Sequence, residues 1–307
     1  MKKMKKLRKN RTNVVLRLFL ILFLFSNFQL MAQRAPSELA LSASGGVSMY
    51  LFQPNVKESS SIGFISDFGV GFNGFFSQQA GIHISAEFGL FNIRTKAGRL
   101  KETITLNQEV FDNKGEKYIY NLHTTLYKYS EAHKSLFLSI PIMFIFQTKQ
   151  SQGGWSYKQA QRTDFYAMFG AKAIFLFNNK YDAGVNSMYN KAYFPDFGVW
   201  IHAPESVGFG EFAGNSSSGK MEFGIMGMAS IELGAKWRLD KNICFYTGAF
   251  FEFGFNDPIK DSRIPYGNYS QPEDLNDISV LKIANNNFLM AVGIKLRVGF
   301  SKRQRTF

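Results

Sequence analysis

The stretch MEFGIMGMASIELGAKWR, residues 221–238, shows the pattern that decides the fold. Successive side chains of a β-strand point to opposite faces, so this stretch has two distinct faces. One face carries Phe223, Ile225, Ala229, Ile231, Leu233 and Trp237. The other carries Glu222, Gly224, Ser230, Glu232, Gly234, Lys236 and Arg238. An apolar face opposite a charged, glycine-containing face is typical of a barrel strand with lipid outside and a lumen inside.

The same alternation recurs along the chain between polar or Gly-rich breaks. The candidate strands are residues 39–52, 62–76, 82–94, 136–147, 163–178, 221–238, 243–256 and 288–301. Long and short connections mostly alternate between them, as external loops and periplasmic turns do in membrane barrels. We therefore predict an all-β fold, a transmembrane antiparallel up-and-down β-barrel of about eight strands with long extracellular loops.

A soluble all-β sandwich or lipocalin-like barrel is the alternative, and it would point its charges into water. The positions of glycines argue against that alternative. Gly69, Gly71, Gly234 and Gly248 fall on the charged face, where small residues relieve crowding inside a narrow barrel. The sequence therefore favours a membrane barrel.

The basic charge of the chain, +13, is concentrated near the N-terminus, where residues 1–32 carry eight bases and no acid. The apolar run 18–25 follows these bases, and Ala32 precedes Gln33. A run of eight residues is shorter than the roughly 18 that a membrane anchor needs, so residues 1–32 are predicted to be a cleaved signal peptide. Residues 33–307 then form the barrel domain, exported to the outer membrane of a Gram-negative bacterium. Without a basic patch interleaved with aromatics, no nucleic-acid partner is expected.

Three short motifs resemble recurrent features of the PorT-type, OmpA-like outer-membrane β-barrel proteins of Bacteroidetes. They are LSIPI at residues 138–142, the strand 165–170 leading to Leu176, and FFEFGFND at residues 250–257. Ser139 stands where this family often has Glu. The resemblance implies a barrel fold and, for some members, a role in protein secretion. It implies no single function, because the members of the family differ in role.

A charged lumen is the first candidate site. If the charged face points inward, five acids meet five bases: Asp67, Glu87, Glu222, Glu232 and Glu252 against Lys172, Lys236, Arg238, Lys295 and Arg297. Buried charges persist only when they are paired, so a self-neutralising plug is predicted. An ion-selective constriction is the alternative, although it would more naturally show an excess of one sign.

His83, Ser85 and Glu87 alternate along one predicted strand and therefore share its inner face. A nucleophile, a base and an orienting carboxylate could be built in this way, and the His-x-Ser spacing is similar to that of lipid A deacylases. Ala86 follows Ser85 where those enzymes have Asn, and His83 lies next to a predicted periplasmic turn. A polar lumen row is therefore the preferred interpretation.

Aromatic residues mark the second candidate site, the predicted external loop 179–220. They are Tyr181, Tyr189, Tyr193, Phe194, Phe197 and Trp200, which either cap the barrel or form a binding patch for protein or glycan. A β-hairpin is predicted in the external loop 95–134. Its strand-forming segments are residues 103–110 and 118–128, and its turn is residues 112–115.

The preferred function is a non-enzymatic barrel with a plugged lumen and binding loops, an accessory subunit of a secretion or surface assembly. Its expected partners are outer-membrane lipid and other outer-membrane or secretion-system proteins. A narrow pore and a lipid A-modifying hydrolase are the alternatives. No cofactor is expected, because the histidines and acidic residues lack the spacing of a metal site and no phosphate-binding loop is present.

Overall fold

A computed structural model gives the structure of residues 37–52, 59–77, 79–100, 103–111, 114–148, 163–214, 216–240, 242–259 and 287–301. The predicted signal peptide, residues 1–32, lies outside these described residues. Among them, no helix is long and apolar enough to cross a membrane.

Eight antiparallel strands close into a barrel, which confirms the predicted fold. They are β1 Ser37–Phe52, β2 Ser59–Phe75, β3 Ala80–Arg99, β5 Lys117–Gln147, β6 Thr163–Gly184, β11 Ile225–Arg238, β12 Ile243–Gly254 and β13 Asn287–Ser301. Each barrel strand pairs with two neighbours, and β1 closes the ring by pairing with β13 along its whole length. The remaining strands are β4 Thr103–Phe111, β7 Ser187–Phe194, β8 Val199–Ile201, β9 Gly210–Ala213 and β10 Ser216–Lys220.

The outside of the barrel is apolar. Phe68, Phe165 and Ile294 are 64%, 67% and 63% exposed, and similar side chains alternate along every barrel strand. Leaving this much apolar surface in water would cost roughly 25 cal/mol for each Å². The barrel surface is therefore suited to lipid, and the barrel is a transmembrane one.

Glycines on the inner face make room for larger neighbours. A Cβ on Gly71 would lie 2.7 Å from the His83 ring, and one on Gly248 would collide with the Tyr166 hydroxyl. The inward glycines therefore allow large polar side chains to fill the narrow lumen, as the sequence pattern predicts.

β5 extends well beyond the barrel rim. It has 31 residues, whereas a tilted strand crosses a bilayer in about 9–11. Its C-terminal part pairs with β3 and β6 in the barrel wall, and its N-terminal part pairs with β4 and β7. The β4–β5 pairing confirms the predicted hairpin, with Phe111 opposite Lys117; residues 112 and 113 of its turn lie outside the described residues.

The predicted loop 179–220 is largely folded into strands, contrary to the sequence interpretation. β7 pairs with β5 on one edge and with β8 and β9 on the other, while β10 pairs with the upper end of β6. These strands are three to eight residues long, which is too short for their alternation to stand out in the sequence. Together β4, β7, β8, β9 and the upper part of β5 form what we call the external sheet.

The start of β11 differs from the prediction. The strand begins at Ile225, because Phe223 instead bridges to Ile259 and the Gly224 N–H donates to the Pro258 carbonyl at 2.5 Å. Glu222 therefore lies before the strand with its side chain exposed. The expectation that Glu222 joins the lumen charges is wrong.

Candidate functional site

The central lumen cluster joins charges from facing walls of the barrel. Lys172 Nζ on β6 lies 3.1 Å from Glu87 Oε2 on β3, 2.8 Å from Glu252 Oε1 on β12 and 3.8 Å from Asp67 Oδ2 on β2. Lys295 on β13 also pairs with Glu87. All five side chains are buried, and an eight-stranded barrel is narrow enough for them to meet.

A second cluster lies nearer the start of β1 than the first, on the side that the sequence predicts to face the periplasm. The Arg297 guanidinium donates to both oxygens of Glu232 at 3.1 and 3.0 Å, which is the two-pronged geometry that favours arginine–carboxylate pairs. The Tyr166 hydroxyl also donates to Glu232, at 2.5 Å. This carboxylate is therefore buried and accepts three hydrogen bonds.

A third cluster closes the periplasmic end of the lumen around Glu38. Lys236 Nζ lies 2.7 Å from one Glu38 oxygen, and Asn73 Nδ2 donates to the other at 3.3 Å. Tyr246 donates to that second oxygen as well. Glu38 was not among the predicted lumen charges, because the first strand was predicted to begin at residue 39. The even-numbered alternation of β1 includes position 38 and could have found it.

Arg238 marks the boundary of the lumen with water. Its guanidinium lies 3.1 Å from Asp164 Oδ2, and the Arg238 side chain is 29% exposed. Asp164 was also missed, although it shares the inward parity of Lys172 on β6. With Glu222 excluded, the structure brings nine of the ten expected lumen charges to the inner face of the barrel.

Apolar side chains cover the charges on both sides. On the external side, Ile65, Phe91, Phe137, Ile174 and Met226 form a buried layer above Lys172. On the periplasmic side, residues including Phe75, Met143, Ile145 and Met168 form a smaller cluster with Tyr166 and Tyr246. The central cluster around Lys172 therefore lies between two apolar clusters.

The structure connects His83, Ser85 and Glu87 in one polar row. His83 Nδ1 lies 2.6 Å from Asn73 Oδ1, and an amide oxygen only accepts, so Nδ1 carries the proton. The Ser85 hydroxyl has one hydrogen and lies 3.1 Å from His83 Nε2 and 3.2 Å from Glu87 Oε1. Ser85 is 5% exposed and lies on the inner wall, away from the lipid-facing surface. Because one hydroxyl hydrogen cannot serve both contacts, the row is a set of close polar contacts and not a complete hydrogen-bond chain.

One face of the external sheet, which we call the outer face, carries Tyr189, Lys191, Tyr193, Trp200 and His202. The first three alternate along β7, and Trp200 lies opposite Tyr193 with ring centroids 4.9 Å apart. Lys191 Nζ lies 4.5 Å above the Trp200 ring, and Tyr189 Oη is 2.9 Å from His202 Nδ1. These contacts hold the aromatic rings in fixed positions.

Two of the six aromatics in the predicted loop are buried, which fits the capping alternative for these two and not the binding patch. Phe194 lies on the opposite face, in a cluster with Tyr120, Leu122 and Phe209. Tyr181 points into the barrel mouth, because the left-handed backbone at Asn178, with φ of 52°, reverses the side-chain alternation of β6. Tyr189 and Tyr193 are half-buried, whereas Phe197 and Trp200 are exposed.

A cavity of about 460 Å³ adjoins the outer face. It is lined by Tyr127, Lys128, Asn186, Ser187, Tyr189 and Glu211. No group of His, Cys, Asp and Glu side chains in the described segments is arranged to hold a metal ion.

No protein-family model and no curated protein matches the chain. Among solved structures, Neisserial surface protein A is similar at 8% identity and a TM-score of 0.33, covering 85% of this chain and 97% of that one. OprG from Pseudomonas aeruginosa has 10% identity, a TM-score of 0.35 and coverages of 88% and 96%. Ail of Yersinia pestis has 10% identity, a TM-score of 0.29 and coverages of 87% and 99%. The resemblance to PorT-type proteins stays a prediction.

Proposed function

We propose that the chain is a non-enzymatic barrel of the Gram-negative outer membrane with a closed lumen. Its external sheet binds a protein partner in a secretion or surface assembly. The observation that carries the first part is the pairing of Lys172, Arg297 and Lys236 with buried carboxylates. Unpaired charges buried this deeply would be costly. The pairing of these charges therefore stabilises a filled lumen.

A closed lumen predicts no steady ion conductance in planar bilayers. Purified protein should give a flat current trace under conditions where a porin prepared in the same detergent gives discrete steps. The buried apolar layer that contains Phe91 and Phe137 supports this expectation, because it lies between the charged clusters and the external side. Regular current steps that scale with protein concentration would instead support a narrow pore.

The hydrolase alternative rests on the Ser85–His83 contact at 3.1 Å. Burial of both side chains in the lumen opposes it, since a lipid ester could not reach Ser85 without opening the barrel wall. Lipid A incubated with the protein should keep its mass, and Ser85→Ala should leave the result unchanged. Loss of an acyl chain with wild type but not with Ser85→Ala would establish the enzyme.

The partner-binding role rests on the outer face, where rigid aromatic rings lie beside charged groups, as at protein interfaces. A Tyr193→Ser/Trp200→Ser variant should lose a partner that co-purifies with the wild-type protein from outer membranes. Val207→Ser is the control, because Val207 is 52% exposed and is not one of the residues of the outer face. Equal recovery of the partner with both variants would show that the outer face does not bind the partner.

A further inference from the structure

Three lysines form a row across neighbouring strands on the outward surface. Lys134 on β5 lies directly opposite Lys180 on β6, and Lys180 lies directly opposite Lys220 on β10. All three side chains are exposed. Cα atoms of directly opposed residues in antiparallel strands are about 4.5–5.5 Å apart, so the row is roughly 10 Å long.

Such a row is unfavourable by itself, because like charges directly opposite each other destabilise a sheet. Within the described segments, no carboxylate forms a salt bridge with any of the three lysines. Glu131, three residues before Lys134 on β5, points inward and lies 2.7 Å from His133. Asp182 is the exposed carboxylate two residues after Lys180 on β6, and it too forms no salt bridge with the row. The row therefore presents three ammonium groups that an external anion can neutralise.

The position of the row specifies what kind of anion fits. Below the row, towards the membrane, Phe177 on β6 and Leu138 on β5 are 40% and 38% exposed and belong to the apolar outside of the barrel. Above and beside it, Arg94 and Lys96 point outward from β3. The row thus lies at the upper edge of the apolar band, on the side of the external sheet.

We propose that Lys134, Lys180 and Lys220 bind the phosphate group of a lipid in the external leaflet. One phosphate offers several acceptor oxygens to three ammonium donors, while the acyl chains of the same lipid contact Leu138 and Phe177 below. Lysine side chains at a membrane boundary reach the headgroup level in this way. A lipid is favoured over free phosphate because the apolar surface continues directly beneath the charges. The proposal depends on the transmembrane barrel and not on the partner-binding face.

The first experiment measures phosphatidic acid binding to the folded protein in a neutral detergent by native mass spectrometry. Lys134→Gln/Lys180→Gln/Lys220→Gln should bind this lipid about 100-fold more weakly than wild type, because each lysine near an anionic headgroup contributes about fivefold. Lys114→Gln/Lys117→Gln/Lys128→Gln removes the same charge from the external sheet and should bind like wild type. Equal weakening by both variants would overturn the proposal, as would competition by inorganic phosphate at the same concentration as the lipid.

A second variant tests the repulsion directly. Lys180→Glu places a carboxylate between two ammonium groups, so its unfolding temperature in neutral detergent should rise by about 2–4 °C. The same variant should no longer be stabilised by phosphatidic acid, which should stabilise wild type. A lower unfolding temperature for Lys180→Glu, or stabilisation of this variant by phosphatidic acid equal to that of wild type, would show that no anion-binding row exists.

Discussion

At the scale of single residues, Glu87 is the most heavily contacted carboxylate of the lumen. It accepts from Lys172, Lys295, Ser85 and Ser139, and its side chain is fully buried. Removing Glu87 takes away the carboxylate that pairs with Lys295 and leaves Lys172 with Glu252 and Asp67. Breaking a buried pair in this way is more costly than the pair itself is worth. The stability of the lumen therefore depends on matched pairs and not on individual charges.

Glu87→Gln should lower the free energy of unfolding by about 3–5 kcal/mol, and Glu87→Gln/Lys295→Met should lower it by less than the two single changes combined. The measurement is a double-mutant cycle from urea unfolding in detergent. Glu109 and Lys117 form the control pair, because they pair on the exposed hairpin with side chains about half exposed. Their coupling should be about 0–1 kcal/mol. Simple additivity for Glu87 and Lys295 would contradict the paired lumen.

The inward direction of the lumen side chains was predictable where the strands alternate strictly. It was not predictable where the alternation is broken. Lys172, Glu232 and Arg297 follow the period of two, so their inward direction was evident from the sequence. Tyr181 was misplaced because one left-handed residue upstream, Asn178, shifts the pairing register. Partners across the lumen could not be predicted, because they depend on how strands far apart in sequence face one another.

At the scale of elements, Asn178 separates the barrel part of β6 from its external part. Its φ of 52° lies in the left-handed region, which Asn and Gly tolerate and which β-branched residues avoid. Asn178→Val should therefore lower the free energy of unfolding by about 1–3 kcal/mol, whereas Asn178→Gly should be close to neutral. Unfolding followed by heat-modifiable gel mobility measures both. A Val variant as stable as the Gly variant would show that the left-handed backbone at residue 178 imposes no strain on Val.

The β4–β5 hairpin should resist external proteases except at its tip. Its strands pair from Thr103 opposite Thr124 to Phe111 opposite Lys117, and Tyr120 and Leu122 are buried against Phe209. Limited proteolysis of intact cells should therefore cut within residues 112–115 and leave the rest of the hairpin whole. Rapid cleavage throughout residues 106–120 would show a mobile loop instead.

At the scale of the whole molecule, the barrel and the external sheet are built on different pairings. Barrel closure uses β5 pairing with β6 between Leu136 and Gln147, together with the β1–β13 seam. The external sheet uses the N-terminal part of β5 with β4 and β7. The alternation of the sequence revealed the barrel because its strands are long. It revealed only the β4–β5 hairpin outside the barrel, because β7 to β10 are short and their pairing is set by contacts between distant segments.

The barrel should therefore fold without most of the external sheet. Gly184 on β6 lies directly opposite Ser216 on β10, so replacing residues 185–215 with Asn-Gly would join two paired strands through a two-residue hairpin turn. We expect this variant to keep the folded, heat-modifiable band, since no barrel pairing is removed. The β4–β5 hairpin should become sensitive to protease near Leu122, because Phe194 and Phe209 no longer cover it. Gly248→Val is the control that should lose the folded band, because its side chain collides with Tyr166 inside the lumen. Loss of the folded band in the deletion variant would show that the external sheet is needed to close the barrel.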